Sequence, residues 1–439
     1  MEGGYPPGRG LSALQPAYCE YFSLRSAFLG GTELDYKGMG YLRKMLIMKR
    51  TRVLMRYTHY EIKNGIKYLQ TLIPPDFMWM AQTLGWCGKA VDSLADRLSF
   101  QEFQKDNFDM NTIFRMNNMD ILPDSAMLSA LISSCSFIYI SKDDDRFPRM
   151  QVIDGSNATG VIDPITNMLT EGYAVLKRNE NQDPVLEAYF VKGKTEFYLG
   201  SKLVRTDINN APYALLVPVI YRPDAMRPFG HSRISRASMN LMQGAMRTLL
   251  RSEVSAEFYS FPQKYITGMA QDTEFENYKA TLSTFLKFTK DEEGESPKLG
   301  QFQQQSMEPY IAQLRTFAAL FAGETSLTLD DLGFVTDNPS SAEAIKASHE
   351  NLRLLARKAQ KTFGTSFLNA GYLAACVRDD FAYRREQIYL TKPAWDPIFE
   401  PDAAMLSGIG DGVGKINQAI PGYIGRRNMQ DLTGITPED

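Results

Sequence analysis

Histidine is scarce in this chain. Its three copies, His59, His231 and His349, stand far apart, and no spacing among them suits a metal ion. Cysteine is nearly as scarce, and Cys19, Cys87, Cys135 and Cys376 form no C-x-x-C pair. That pattern excludes a disulfide scaffold and fits free thiols in a reducing compartment. No run of about 18 apolar residues occurs, which excludes an ordinary helical membrane span. The opening MEGGYPPGRG has neither a basic region nor an apolar core, so no signal peptide is expected, and the Asn157-Ala158-Thr159 sequon has no role. The protein is expected to be soluble and intracellular, with no membrane partner.

Catalytic signatures are missing as well. There is no G-x-S-x-G and no H-E-x-x-H. Gly85-Trp86-Cys87-Gly88-Lys89-Ala90 holds a Gly-Lys step, but its spacing is not that of a phosphate loop, and Ala90 lacks a hydroxyl for magnesium. Asp143-Asp144-Asp145 beside Arg146, and Asp379-Asp380, read as solvated turns. No nucleophile, base and oxyanion site assemble. No catalytic residue, metal or cofactor is therefore expected. An excess of positive charge is also lacking: 48 Lys and Arg face 51 Asp and Glu, a formal charge of -3. Tight sequence-independent DNA binding needs phosphate neutralisation, so any contact with DNA should be loose or transient.

What the chain does have is length and apolar content. Its 439 residues, 44% hydrophobic, suffice for two or more domain-sized units. The stretch Arg233 to Phe258 organises the rest. Ile234, Ala237, Leu241, Ala245 and Leu249 recur every three or four residues, and Met242, Met246 and Leu250 widen that helix face. Arg233, Arg236, Arg247 and Arg251 project nearly opposite. Gly244 costs the helix about 1 kcal/mol relative to alanine. Either the basic face is solvated, or it meets a partner or nucleic acid.

Residues 1–30 read as an arm. Tyr36 to Lys67 reads as helix in pieces, its run YLRKMLIMKRTRVLMR packing through long snorkelling side chains. Val91, Leu94, Ala95 and Leu98 form a further helix stripe over 86–100, with Asp92, Asp96 and Arg97 outside; more helix follows over Ile113 to Asp120 and from Ser125. From Ser136 the period changes. FIYIS, MQVID, NATGVID, GYAVLKR, LEAYFVKG, TEFYLG, KLVRTD and ALLVPVIYRP predict short strands of an antiparallel sheet or sandwich. After the Arg233 helix, 263–305 read as a small module with the strand-like KYITGM and the charged tip KDEEGESPK. A second helix starts at Glu308-Pro309, turns Tyr310, Ile311, Leu314, Phe317, Ala318 and Phe321 to one side, and closes at Gly323. An acidic segment follows. Ser340 and Glu343 then form a capping box that opens a long helix ending at Gly364, with further helix to about Phe381. The sequence after YLTKPAW reads as loop, and a short helical piece ends the chain.

This order resembles the portal, or head–tail connector, proteins of tailed bacteriophages, in the branch often called Gp6-like. The motifs are Val91-Asp92-Ser93-Leu94-Ala95-Asp96-Arg97-Leu98 and Pro228-Phe229-Gly230-His231-Ser232-Arg233-Ile234. Next comes Glu253-Val254-Ser255-Ala256-Glu257-Phe258-Tyr259 with Pro262 and Gly268. Last is Phe321-Ala322-Gly323-Glu324-Thr325 leading to Ser340-Ser341-Ala342-Glu343-Ala344-Ile345. The resemblance spans roughly residues 36 to 425. It implies an α+β portal fold: an arm (1–30), a mixed helix and strand wing (31–232), stem helices 233–258 and 306–323, and a clip (259–305) between them. A tunnel loop (324–340), a long helix returning to the wing (341–395) and a small crown (396–439) complete it.

The resemblance further implies a homo-oligomeric ring, a dodecamer of about twelve subunits, at one capsid vertex of the virion, assembled in the host cytoplasm. Double-stranded DNA would pass through it during packaging and ejection. The terminase large subunit, which hydrolyses ATP in this family, would dock on it, then head-completion or adaptor proteins; the major capsid and scaffolding proteins are further partners. Glu324, Leu327, Leu329, Asp330, Asp331, Phe334 and Asp337 would line the channel, and Arg233, Arg236, Arg247 and Arg251 would form the charged stem face. A weakly acidic chain lets DNA slide. Two other readings compete: a tail adaptor ring, which is generally shorter, and an enzyme built on Asp92, Asp96 or Asp143–Asp145.

Overall fold

A computed structural model describes residues 36–63, 75–143, 147–260, 264–267, 298–301, 306–334, 347–398 and 403–433. The arm 1–30, the tip of the expected clip and the Ser340–Glu343 capping box lie outside these residues.

Helix α1 (Met39–Tyr60) carries Arg43, Lys44, Lys49, Arg50, Arg52 and Arg56 and no acidic residue. It does not float free. Leu42 and Leu46 pack on Tyr173 and Val175 of a sheet, and Glu171 of that sheet accepts the Lys37 and Gly38 N–H groups at 2.7 and 2.9 Å. Buried Glu187 takes two bonds from the Arg43 guanidinium. Helices α2 (Trp86–Ala95), α3 (Met110–Met116) and α4 (Leu122–Ser133) follow. Val91, Leu94 and Leu98 are buried as the stripe requires, whereas Ala95 is only half-buried.

All eight expected strands form, in two antiparallel sheets. The first has order β3-β2-β9, from β2 (Cys135–Lys142), β3 (Pro148–Asp154) and β9 (Leu216–Ile220). Pro218 is tolerated because β9 is an edge strand of this sheet. The second is a meander of β4 (Ala158–Ile162), β5 (Leu169–Arg178), β6 (Pro184–Val191), β7 (Lys194–Leu199) and β8 (Lys202–Ile208). Val191 pairs with Lys194, leaving Lys192-Gly193 as a two-residue turn, with Gly193 at φ 79 as such turns require. The sheets meet where Gly172 of β5 lies against Leu216 of β9; a Cβ there would stand 2.9 Å from Leu216 Cδ2. One main core runs through both sheets and the surrounding helices.

Helix α5 (Arg236–Ser260) and helix α6 (Glu308–Thr325) flank a ladder of β10 (Lys264–Thr267) and β11 (Lys298–Gln301). Helix α7 (Glu350–Asp379) crosses the core, and α8 (Ala403–Ala419) and α9 (Arg426–Thr433) end the described chain.

Three expectations are corrected. Gly323 does not close α6; the helix runs on to Thr325 and stops at Ser326, whose φ of 55 breaks it. Gly364 does not stop α7 either. There a Cβ would lie 2.6 Å from Pro393 Cγ, and at Gly371 2.6 Å from Met110 Sδ, so both glycines admit neighbours to the helix surface. Residues 392–395, for which the sequence names no element, are strand β12 (Lys392–Trp395). It pairs with β1 (Phe100–Gln104), whose first residue was read as the end of a helix. The pair seats Phe100 against Phe103, Phe114, Phe367 and Trp395, with ring centroids 5.0–5.9 Å apart.

Candidate functional site: the helical hairpin and its base

Helices α5 and α6 run antiparallel, and four side-chain contacts fix their register. At the base, Ser235 Oγ donates to Glu324 Oε1 at 2.8 Å. The same hydroxyl accepts the Ser238 N–H at 3.0 Å and so caps α5. One step along, the bare surface of Gly244 receives the Phe317 ring. Then Thr248 Oγ1 lies 3.2 Å from Gln313 Oε1, and at the far end Ser255 Oγ lies 3.1 Å from Tyr310 Oη.

The face α5 buries is centred on Met242, Ala245, Met246 and Leu250, with Leu241 and Leu249 half-buried. Ala237, expected on that face, is exposed. The helix is therefore turned toward its methionines, and Ser238, Gln243 and Thr248 are buried beside them. On α6, Ile311 and Leu320 are largely exposed, one on each flank of the packed face; Ile311 had been expected on the packed side.

The arginines separate. Arg236 and Arg251 are exposed and Arg247 is half-buried. Arg233 is a correction: it precedes the helix, is buried, and belongs to no charged face. Its Nε donates to Ala90 O at 3.1 Å and its Nη2 donates to Thr325 O. Thr325 is the last residue of α6, where the helix dipole favours a cation, and Ala90 lies midway along α2. Burial holds its pKa below the ordinary guanidinium value. Trp86 and Phe321, with ring centroids 5.5 Å apart, close the same junction. Arg233 thus ties the hairpin to the body of the protein.

The first part of the acidic segment is ordered onto the core. Leu327 is buried, a further correction, since a buried side chain cannot line an open channel. Leu329, Leu332 and Phe334 are half-buried against the main core. Asp331 Oδ2 accepts the Thr328 N–H and hydroxyl, both at 2.9 Å, which closes a 3-10 turn over Asp330–Leu332. His349 Nδ1 stands 3.9 Å from the same carboxylate. Asp330 and Glu324 face solvent. Asp337 lies outside the described residues.

Among the described residues the carboxylates proposed for an enzyme show no catalytic grouping; Asp144 and Asp145 lie outside those residues. Asp92 accepts the Tyr60 hydroxyl at 2.9 Å, and burial with that bond pushes the phenol up to about 12. Asp143 accepts the Phe147 N–H at 2.7 Å and pairs with Arg149, a local turn. Asp124 is raised, chiefly by burial and then by Asp96. Among the described residues no group of three His, Cys, Asp or Glu side chains is placed to hold a metal, and no helix is long and apolar enough to cross a membrane.

The ring of polar contacts in the hairpin was not legible in advance, because Thr248, Gln313, Ser255 and Tyr310 follow no motif. Gly244 was the available signal: a glycine inside an otherwise strong helix asks for a close neighbour.

Comparison with known proteins gives a consistent direction. No protein-family model matches the sequence. The portal protein of Mycobacterium phage L5 is 24% identical over 344 residues, covering 72% of this chain and 69% of the relative. That of Mycobacterium phage D29 is 23% identical over 344 residues, covering 72% and 70%. The likeness to portal proteins read from the ordered motifs is borne out by these relatives. Among solved structures, the virion of a native gene transfer agent particle holds a chain at TM-score 0.43 and 12% identity, covering 89% of this chain and all of the other. The neck of the native particle, computed with C12 symmetry, holds one at TM-score 0.44 and 13% identity, with 89% and 100% coverage.

Proposed function

We propose that this chain is a phage portal subunit: a structural protein whose ring, at one capsid vertex, conducts double-stranded DNA during packaging and ejection. The carrying observation is the similarity to two curated portal proteins across 344 residues. The hairpin supports it. A two-helix projection ending in a β-ladder is a shape that side-by-side copies can assemble into a tube, and the exposed Ile311 and Leu320 give α6 an apolar residue on each flank for neighbours. Head-to-tail contacts that close by rotation make such a ring, and a dodecamer is the expected size.

In this reading α5 and α6 are the stem and the β10–β11 module is the clip, where the terminase large subunit and later the head-completion proteins dock. The two sheets with α1 to α4 and α7 form the wing, which meets capsid and scaffolding proteins. Arg236, Arg247 and Arg251 lie on the stem, and Glu324, Asp330 and Asp337 face DNA from the base and the tunnel loop. Fixed charge of both signs in a chain of net charge -3 keeps phosphate binding weak enough for DNA to slide.

Negative-stain micrographs with light scattering test this directly. Rings with a central hole are expected. A monomer at micromolar concentration, unmoved by salt, would remove the proposal.

A further inference from the structure

Helix α1 buries one side only, through Leu42, Leu46 and Val53. On its outward side Ile47 and Leu54 stand seven residues apart, as do Met48 and Met55, with Thr51 between the pairs. Ile47 is 66% and Met48 74% exposed, and Leu54 and Met55 also reach solvent. Singly exposed apolar residues call for no explanation. Two rows with a period of seven are different: they share one helix face, in the pattern by which one helix seats another. Methionine suits such a surface because its flexible side chain adapts to what it meets.

The seam has basic borders. Arg43 and Arg50 run along one edge, Lys49, Arg52 and Arg56 along the other, Lys44 lies at its head, and the helix carries no Asp or Glu. Arg43 is committed to Glu187. The other five have no carboxylate within ion-pair distance among the described residues, and Lys44 and Arg52 are exposed. Arg50 donates through Nη2 to Gln182 Oε1 at 3.1 Å, and Arg56 through Nη1 to Ser133 O at 2.9 Å. The Nε of each is buried with no hydrogen-bond partner. Beside the Ile47 and Leu54 row a cavity of about 320 Å³ opens onto Arg50 and Arg178. A buried guanidinium N–H without an acceptor is costly, and acceptors that carry negative charge serve it best.

The occupant must match both features. Nucleic acid matches the charge but gives the apolar rows nothing to bury against. A membrane is flat and cannot follow Arg50 into the hollow beside the seam. A helix with glutamates flanking an apolar stripe does both. Helices of a second copy are poor candidates: among the described residues none carries more than two Asp or Glu, and each that carries two also carries arginine. We infer that the outward face of α1 docks an acidic amphipathic helix of another protein. Its apolar stripe would lie on Ile47, Met48, Leu54 and Met55, and its carboxylates would meet Lys44, Arg50 and Arg52.

The probe is a fluorescein-labelled synthetic peptide of three heptads, with leucine at the seam positions and glutamate on both flanks, where like charge also keeps it from pairing with itself. Full-length protein is titrated into it, and anisotropy reads the binding. A peptide with lysine in place of glutamate, and a scrambled acidic peptide, are the comparisons. The acidic peptide should bind at least about tenfold tighter than either. Ile47→Glu should weaken it about tenfold or more, as should Lys44→Glu combined with Arg52→Glu. Ile208→Glu on β8, where the native side chain is 85% exposed, should change nothing. All these side chains are exposed, so melting temperatures should match the parent. No binding at about 100 μM, equal binding of the three peptides, or indifference to Ile47→Glu would overturn the assignment. So would loss of the parent's oligomeric state in Ile47→Glu by light scattering, which would give the face to a second copy. Tighter, Ile47-dependent binding of a short DNA duplex or of phosphatidylserine vesicles would also overturn it. The peptide readouts do not depend on ring formation or DNA passage.

Discussion

Gly244 and Phe317 are in direct contact across the helical hairpin: a Cβ added at position 244 would stand 2.7 Å from Phe317 Cε1. The glycine weakens α5 by about 1 kcal/mol relative to alanine, and the close approach of α6 offsets that. Gly244→Ala is therefore expected to destabilise by about 1–2 kcal/mol, because overpacking outweighs the gain in helix propensity. Gly244→Ala with Phe317→Leu should recover most of the loss. Urea midpoints at constant m-value measure both. A Gly244→Ala protein more stable than the parent would show that α6 yields freely.

Arg233 and Arg251 should behave oppositely. Arg233→Ala strands Ala90 O and Thr325 O in a buried junction. A loss of about 2–4 kcal/mol is expected, from two hydrogen bonds to a charged donor. Arg251→Ala removes an exposed charge and should change stability by less than about 0.5 kcal/mol. Its effect should appear in ring assembly or DNA passage instead. Thermal melts of the two variants beside an assembly assay separate the roles, and unfolding by Arg251→Ala would contradict the placement of α5.

The acidic segment divides in the same way. Leu327→Ala should cost about 2–4 kcal/mol, as buried leucines do, while Asp330→Asn should leave the melting temperature alone. If the segment lines the channel, Asp330→Asn rings should still form and retain packaged DNA differently. Unchanged packaging and ejection by those rings would take Asp330 out of the mechanism.

Alkaline pH should weaken the fold. Burial raises the Cys87 thiol from 9.0 to about 12 and Cys376 to about 11. It also raises the Tyr57 phenol from 10.0 to about 12. Each group holds its proton more tightly when folded, so the unfolded chain binds fewer protons once pH passes 9. Stability from these groups is complete below about pH 9 and declines as pH climbs toward their folded values. Melting temperatures recorded from pH 8 to 11 should fall, and Cys87→Ala should flatten the early part of that fall. Native protein at pH 8 should also leave Cys87 and Cys376 unreactive toward a thiol reagent until unfolded.

Much of this architecture was written in local patterns. The eight strands from Cys135 to Ile220 announced themselves by β-branched and aromatic runs between turn residues. The order of α5, a small module and α6 followed from periodicity and from Glu308-Pro309, whereas strand β11 was not expected. Two of the failures share a cause: they depended on a residue distant in sequence. Gly364 read as a helix stop because its reason, Pro393, lies on another element. Phe100–Gln104 and Lys392–Trp395 are too short to read as strands until paired with one another. Arg233 matched the periodicity of a charged stripe, yet the chain before Arg236 is not helical, so helical arithmetic did not apply to it. For the candidate site, acidic residues were legible as a group, but which of them fold inward was set by Leu327 and Thr328, and that is a tertiary fact.

The pairing of Phe100 with Trp395 has a consequence for how the molecule is made. On a ribosome the first strand emerges long before its partner. At about 5–20 residues per second, the interval from residue 100 to residue 395 is roughly 15–60 s. Throughout it, an aromatic edge with open N–H and C=O groups has nothing to pair with, and such edges invite association with other nascent chains. Completion of this two-stranded seam is thus a late checkpoint. A chain cut short before residue 392 would retain the hairpin and both large sheets but lack the last strand that covers Phe100, and it should be cleared or aggregate before it can compete for a place in an assembly.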